Sequence, residues 1–253
     1  MYFKTMLNDK YEICSYICVK FTHKTAMQNI KIAVDAIVFG YQNNTLFVLL
    51  IQQKFGSQNS YWALPGGLVQ EDESLIEAVK RELKEETNVA VNYLEQLYTF
   101  GDDITRDSRN RVISVAYMAL VDPSKLSLRA DTDADEVAWV PVSKIPNLAF
   151  DHNDMIVKGL ERLSAKLTYQ PIGFDLLPTE FLFSELENLY TTILQKEIDR
   201  RNFRKKMLSF GILEETEIIL PQKAGRPAKL FRFNTAKYNQ LVKEGFHFEI
   251  KFA

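Results

Sequence analysis

Three carboxylates crowd one short stretch of this sequence, Glu82, Glu85 and Glu86, introduced by Arg81. On a helix, Glu82 and Glu86 stand one turn apart with Glu85 beside them, so all three share a face. Like charges at that spacing destabilise an isolated helix, and near a C-terminal end the dipole disfavours anions as well. A helix with a purely structural role would more naturally carry Lys or Arg there. A hard divalent cation resolves the conflict, because close-set oxygen ligands suit Mg²⁺. The expectation is a catalytic set of Arg81, Glu82, Glu85 and Glu86, with the three glutamates as metal ligands. The plainer alternative is a solvated acidic face.

The elements that would hold this cluster are legible around it. Ser74 with Glu77 three residues on forms a capping box, and Ile76, Val79 and Leu83 fall on one apolar stripe. Pro65-Gly66-Gly67 precedes the helix, and glycines there let backbone approach a phosphate or metal closely. The whole stretch from Gly66 to Val89 resembles the Nudix box, G-x5-E-x7-R-E-U-x-E-E-x-G-U with U apolar. Gly67, Glu73, Arg81, Glu82, Leu83, Glu85, Glu86 and Val89 match it, and Asn88 stands in place of its last Gly. Asn tolerates the left-handed turn expected after the helix, so the fold should not suffer. The resemblance implies an α/β/α sandwich and, in active members, hydrolysis of a nucleoside diphosphate linked to another group. In those hydrolases a carboxylate outside the box can serve as base; Asp133, Asp135 and Glu136 are candidates.

Composition sets bounds. A chain of 253 residues with 46% hydrophobic and 25% charged residues has room for two modest domains. A net charge of −2 gives no global attraction to nucleic acid or membrane, so any basic surface must be local. No apolar run approaches the roughly 20 residues of a spanning helix. Cys14 and Cys18 make no disulfide scaffold, and a cytoplasmic location with no membrane partner is expected. Residues 1–29 form an extension of unknown role. From Ile30, strand-like runs (32–39, 45–52, 91–100, 112–121 and 137–140) alternate with turn signals, among them a hairpin at Gly40–Asn44. The loop Gly101–Arg111 alternates Asp with Arg. It reads as a solvated loop with local ion pairs or, more sharply, as Arg106, Arg109 or Arg111 gripping a ligand diphosphate beside Gly66 and Gly67. Asp151 looks like the cap of the next helix. His152 is read as steadying that helix start rather than binding metal. Periodicity stops near Tyr169–Gly173, which bounds a first domain at 30–168 and a second at 174–253.

The second unit carries a different chemistry. Ser184 with Glu187 suggests a capped helix running to about Lys196. Asp199 then caps a basic helix in which Phe203 and Met207 point inward with Leu208 beside them, while Arg200, Arg201, Asn202, Arg204 and Lys205 face outward; Gly211 ends it. Two strand-like stretches, 217–220 and 229–233, flank a basic tip containing Lys223 and Arg226, with Lys229 just beyond. Helix, turn, basic helix and basic-tipped hairpin is the layout of a small winged helix-turn-helix domain, whose second helix enters the major groove. The expected DNA-binding residues are Arg200, Arg201, Asn202, Arg204, Lys205, Arg226 and Lys229.

A Nudix domain joined to such a module resembles the Nudix-related transcriptional regulators. Besides the box, F-D-H, L-L-P, R-N-F-R-K-K and G-R-P-A-K-L-F are similar to that family's text. The resemblance implies a homodimer on double-stranded operator DNA. Its effector would be ADP-ribose, a related NAD metabolite or a pentose sugar. The alternative is a Mg²⁺-dependent ADP-ribose pyrophosphatase with an accessory C-terminal domain.

Overall fold

β1 (Ile30–Gln42) divides the first layer system in two, because its side chains alternate between opposite faces. Val34, Ala36 and Val38 point to the side covered by α1 (Leu75–Thr87), where they meet Val79 and Leu83. Ile37 and Phe39 point the other way, to α2 (His152–Tyr169), with Met155, Ile156 and Leu163. Gly159 lets α2 approach: a Cβ there would lie 3.2 Å from both Ile37 and Phe39. The computed structural model describes residues 29–55, 59–126, 128, 134–220 and 228–250.

The sheet follows from β1. β2 (Thr45–Phe55) returns antiparallel through Asn43-Asn44, both left-handed (φ 50° and 56°), so the expected hairpin turn tightens to two residues. β3 (Asn59–Ala63), β4 (Gly66–Leu68), β5 (Tyr93–Phe100), β6 (Arg111–Val121) and β7 (Ala134–Pro141) complete the order β3-β2-β1-β6-β5, with β4 also on β1 and β7 on β2. β1 and β6 run parallel from Ile30↔Arg111 to Gly40↔Val121. The α/β/α sandwich expected from the sequence is the observed one. Among the described residues, no helix is long and apolar enough to cross a membrane.

A short 3₁₀ turn, Ile172–Leu176, leads into the second unit. There β8 (Glu180–Leu182), α3 (Phe183–Leu194), α4 (Arg200–Ser209), β9 (Leu213–Leu220), β10 (Ala228–Phe233) and α5 (Thr235–Lys243) form a winged helix with sheet order β8-β10-β9. The core under α2 continues without a break into this unit through Leu167, Leu189, Tyr190 and Phe203. The C-terminal segment returns to the first: the Ile250 N–H donates to the Thr168 carbonyl at 2.8 Å.

Some local readings need correction. α3 starts at Phe183, and Glu185, not a Ser184–Glu187 box, caps it by accepting from the Leu182 N–H at 2.6 Å. Ile76 is half exposed, since the buried stripe of α1 is Ala78, Val79 and Leu83. Leu208 is likewise exposed rather than inward. β9 begins at Leu213, before the expected strand start. The extension up to residue 28 with its two cysteines, Asp133, and the wing tip with Lys223 and Arg226 lie outside the described residues.

Candidate functional site: an acidic cleft and a basic helix

α1 is delivered to the cleft by its own ends. Ser74 and Glu77 form the expected capping box, and Asn88 closes the helix in the left-handed conformation (φ 58°) anticipated for it. Gly67 makes room for the cluster, because a Cβ there would fall 2.2 Å from Glu82 Oε1. A Cβ on Gly66 would fall 2.2 Å from the Val34 carbonyl oxygen. Neither position tolerates a side chain without displacing backbone or carboxylate.

The five charged residues matching the box, Glu73, Arg81, Glu82, Glu85 and Glu86, separate into two groups. Arg81 donates to Glu73 (2.6 and 2.9 Å), Glu82 (2.7 Å) and Glu85 (3.2 Å). Its guanidinium pulls the Glu73 carboxyl below the ordinary range. Glu86 turns away into the protein, where its oxygens accept from Gln53 Nε2 at 2.7 Å and the Gly66 N–H at 2.8 Å. Burial pushes the Glu86 carboxyl up to about 8, and burial also raises Glu82. Nudix domains generally work with divalent cations such as Mg²⁺. Here Glu82 and Glu86 line the cleft while Glu85 does not, and among the described residues no three His, Cys, Asp or Glu side chains gather into a metal cage. As placed, the donors do not fit a preformed metal centre.

The cleft itself holds about 440 Å³, and much of its wall was not anticipated. Asp35, on β1, accepts from the Ser114 hydroxyl and lies 3.9 Å from Arg106 and 3.5 Å from His152 Nε2. An acidic residue inside the apolar run I-A-V-D-A-I-V-F was the available signal. Asp151 sits at the start of α2 but caps nothing with its side chain. Its carboxylate instead takes Arg106 Nε and Nη2, at 2.9 and 2.5 Å. Arg106 is buried. Desolvation opposes its charge, yet Asp151 and Asp35 together hold its pKa above the ordinary value. Arg109, also on the wall, is oriented by Asp107 and lies over the Phe150 ring. Arg111 points elsewhere, donating to the Gly101 carbonyl at 2.7 Å, and does not line the cleft. Of the proposed bases, Glu136 is exposed on β7 and does not line the cleft either.

His152 ties β3, β1 and α2 together. The Leu64 N–H donates to its Nδ1 at 2.9 Å, which leaves the proton on Nε2, facing Asp35. Burial pushes the imidazole below its ordinary 6.5, more than Asp35 raises it. Below pH 6.5 the unfolded chain therefore binds a proton that the folded one refuses. This contribution is complete above that pH and falls by about 1.4 kcal/mol per unit below it. His152→Asn keeps an acceptor near Nδ1 without the titration. Tm curves of the two proteins should converge between pH 7 and pH 5; parallel curves would contradict a neutral His152.

In the second unit, Asp199 caps α4 by accepting from the Asn202 N–H at 3.1 Å and also holds the Asn202 side chain at 2.8 Å. Phe203 and Met207 are buried, which turns Arg200, Arg201 and Lys205 out to solvent. Arg204 is exposed as well, and its guanidinium also lies 4.3 Å from the Phe183 ring centroid and 5.5 Å from that of Phe231. Lys229 pairs with Glu215 on the neighbouring strand at 2.7 Å.

Known proteins resemble this chain over both units. A family model described as NUDIX domain matches residues 30–158, and one described as NrtR DNA-binding winged helix domain matches residues 173–233. An Acinetobacter baylyi protein named ADPR responsive transcriptional repressor NtrR is 35% identical over 211 residues, covering 81% of this chain and 83% of that protein. The structure of Shewanella oneidensis NrtR complexed with a 27mer DNA superposes with a TM-score of 0.71 at 31% identity, covering 87% of this chain and 99% of that one. The NUDIX domain of the same Shewanella protein, complexed with ADP ribose, gives a TM-score of 0.50 at 35% identity over 57% of this chain and 96% of that domain. With a Nudix sandwich and an NrtR winged helix in one chain, this protein belongs to the NrtR family of transcriptional regulators.

Proposed function

We propose that the chain is a transcriptional repressor that binds operator DNA through α4 and the β9–β10 wing, and leaves it when its Nudix cleft takes up ADP-ribose or a closely related nucleotide. The observation that carries this reading is a basic helix projecting from the same continuous core that builds the cleft. The ADP-ribose response and the DNA complex of the relatives support it. A homodimer would match a two-fold operator, each copy placing one α4 in a major groove. The working division is a Nudix domain over 30–168 and a DNA-binding domain over 174–253.

The test is a gel shift of the full chain on its own promoter. A salt-sensitive shift is expected, reversed by ADP-ribose and not by L-arabinose. No shift on promoter DNA at low salt defeats the reading, and reversal by arabinose alone replaces the effector. Hydrolysis is the second reading, favoured by the presence of all the box carboxylates. It is scored in the same mixture, with Mg²⁺ added, as AMP release; a release rate unchanged in a Glu85→Gln, Glu86→Gln double variant removes the box from that chemistry.

A further inference from the structure

We propose that Phe150, with Arg109 beside it, is the seat for the flat base of a nucleotide effector, and that this seat gives the cleft its preference for a base-bearing ligand over a bare sugar phosphate. This rests on the reading of the chain as a nucleotide-responsive repressor and adds which end of the ligand is recognised where.

The backbone makes the first case. Phe150 has φ +54°, a left-handed conformation that is strained for an aromatic residue. The other described non-glycine residues with positive φ are Asn43, Asn44, Asn88 and Gln195, all side-chain amides. Phe150 is the one aromatic among them. Its neighbours hold it there: the Ala149 N–H donates to the Trp62 carbonyl at 2.8 Å, Asp151 is clamped by Arg106, and His152 accepts from Leu64. A loop needing only this turn would be served better by Gly or Asn.

The second case is where the ring is put. Phe150 lines the cleft and keeps 37% of its surface exposed, where burial of an aromatic ring would ordinarily be favoured. The His152 ring lies 5.3 Å away on the buried side, tilted by 55°. The Arg109 guanidinium lies 5.3 Å from the Phe150 centroid and is set by Asp107 through contacts of 3.0 and 2.8 Å. Glu82 and Glu86 make another part of the same wall acidic. The cleft thus offers carboxylates and, in the same lining, an aromatic ring paired with a planar cation.

Ring and guanidinium planes are the partners on which nucleobases stack, and a pentose presents no π face to them. Stacking of one base is worth about 1–3 kcal/mol by substitution, or about 5- to 150-fold in affinity.

The experiment titrates the full-length protein with ADP-ribose and with etheno-ADP-ribose, whose fluorescent base reports stacking directly. Phe150→Gly removes the ring while suiting the left-handed backbone, so Tm should hold or rise. ADP-ribose affinity should fall at least tenfold, and the base fluorescence quenched by the wild type should no longer be quenched. Phe150→Tyr should bind within about threefold of wild type, whereas Phe150→Leu, apolar but without a ring, should behave like the glycine variant. Wild-type affinity in Phe150→Gly, equal affinity of the Leu and Tyr variants, or unaltered quenching overturns the seat. Failure of the wild type to bind ADP-ribose at all overturns the functional reading instead.

Discussion

Replacing Arg200 and Arg201 together by alanine is expected to weaken promoter binding by about 10- to 100-fold at low salt while leaving ADP-ribose affinity and Tm unchanged. Both side chains are exposed on the first turn of α4, and the residues that fix that helix, Asp199, Phe203 and Met207, are untouched. Each phosphate contact released lowers the slope of log affinity against log salt by about 0.9, so the double variant should lose close to two units of slope. Arg204 provides the contrast. Its cation–π stacking on Phe183 and Phe231 is part of the packing between α4, α3 and β10. Arg204→Ala should therefore lower Tm along with affinity, losing about 0.5–2 kcal/mol of stability. Gel shifts across a salt series, with calorimetry on the same samples, separate the two effects. A double variant with unaltered affinity and slope would mean that α4 is not the DNA-facing helix.

The contrast also marks how far the sequence could be read. The box, its capping box, the left-handed Asn88 and the inward pair Phe203 and Met207 were legible because each depends on local spacing. What escaped was decided by tertiary partners. Asp151 carries the local signature of a helix cap, yet Arg106, distant in sequence, takes its carboxylate away. The same capping signature at Ser184 failed because Glu185 was better placed for the Leu182 N–H. Outward periodicity put Arg204 with its exposed neighbours, as observed, but could not show that its guanidinium also lies over two rings. Nothing in the chain's pattern announces a phenylalanine with positive φ. Asp35 alone left a visible trace, a charge inside an apolar strand.

That charge belongs to the network with the largest expected effect on stability. Arg106→Ala should destabilise the protein by about 3–5 kcal/mol, a fall in Tm of roughly 6–20 °C for a chain of this size. The Arg106 side chain is 4% exposed, against 9% for Asp35 and 20% for Asp151. Removing the one cation leaves two largely desolvated carboxylates facing each other and a neutral imidazole. Replacing Asp151 as well should recover part of the loss, because the penalty lies mainly in the stranded charge rather than in the missing attraction. A calorimetric cycle of the two single variants and the double measures that coupling. The consequence reaches the cleft, since Asp151 stands between Phe150 and His152 and its clamp fixes both side chains on the wall. Effector affinity should therefore fall in Arg106→Ala even at temperatures where the fold survives. Arg106→Lys, which restores charge without the two-pronged contact, should regain stability more fully than affinity, because a single ammonium neutralises the carboxylates but does not orient them. Equal recovery of both would make the pair a matter of charge balance alone, and an unchanged Tm in Arg106→Ala would remove the network from the folding energetics altogether.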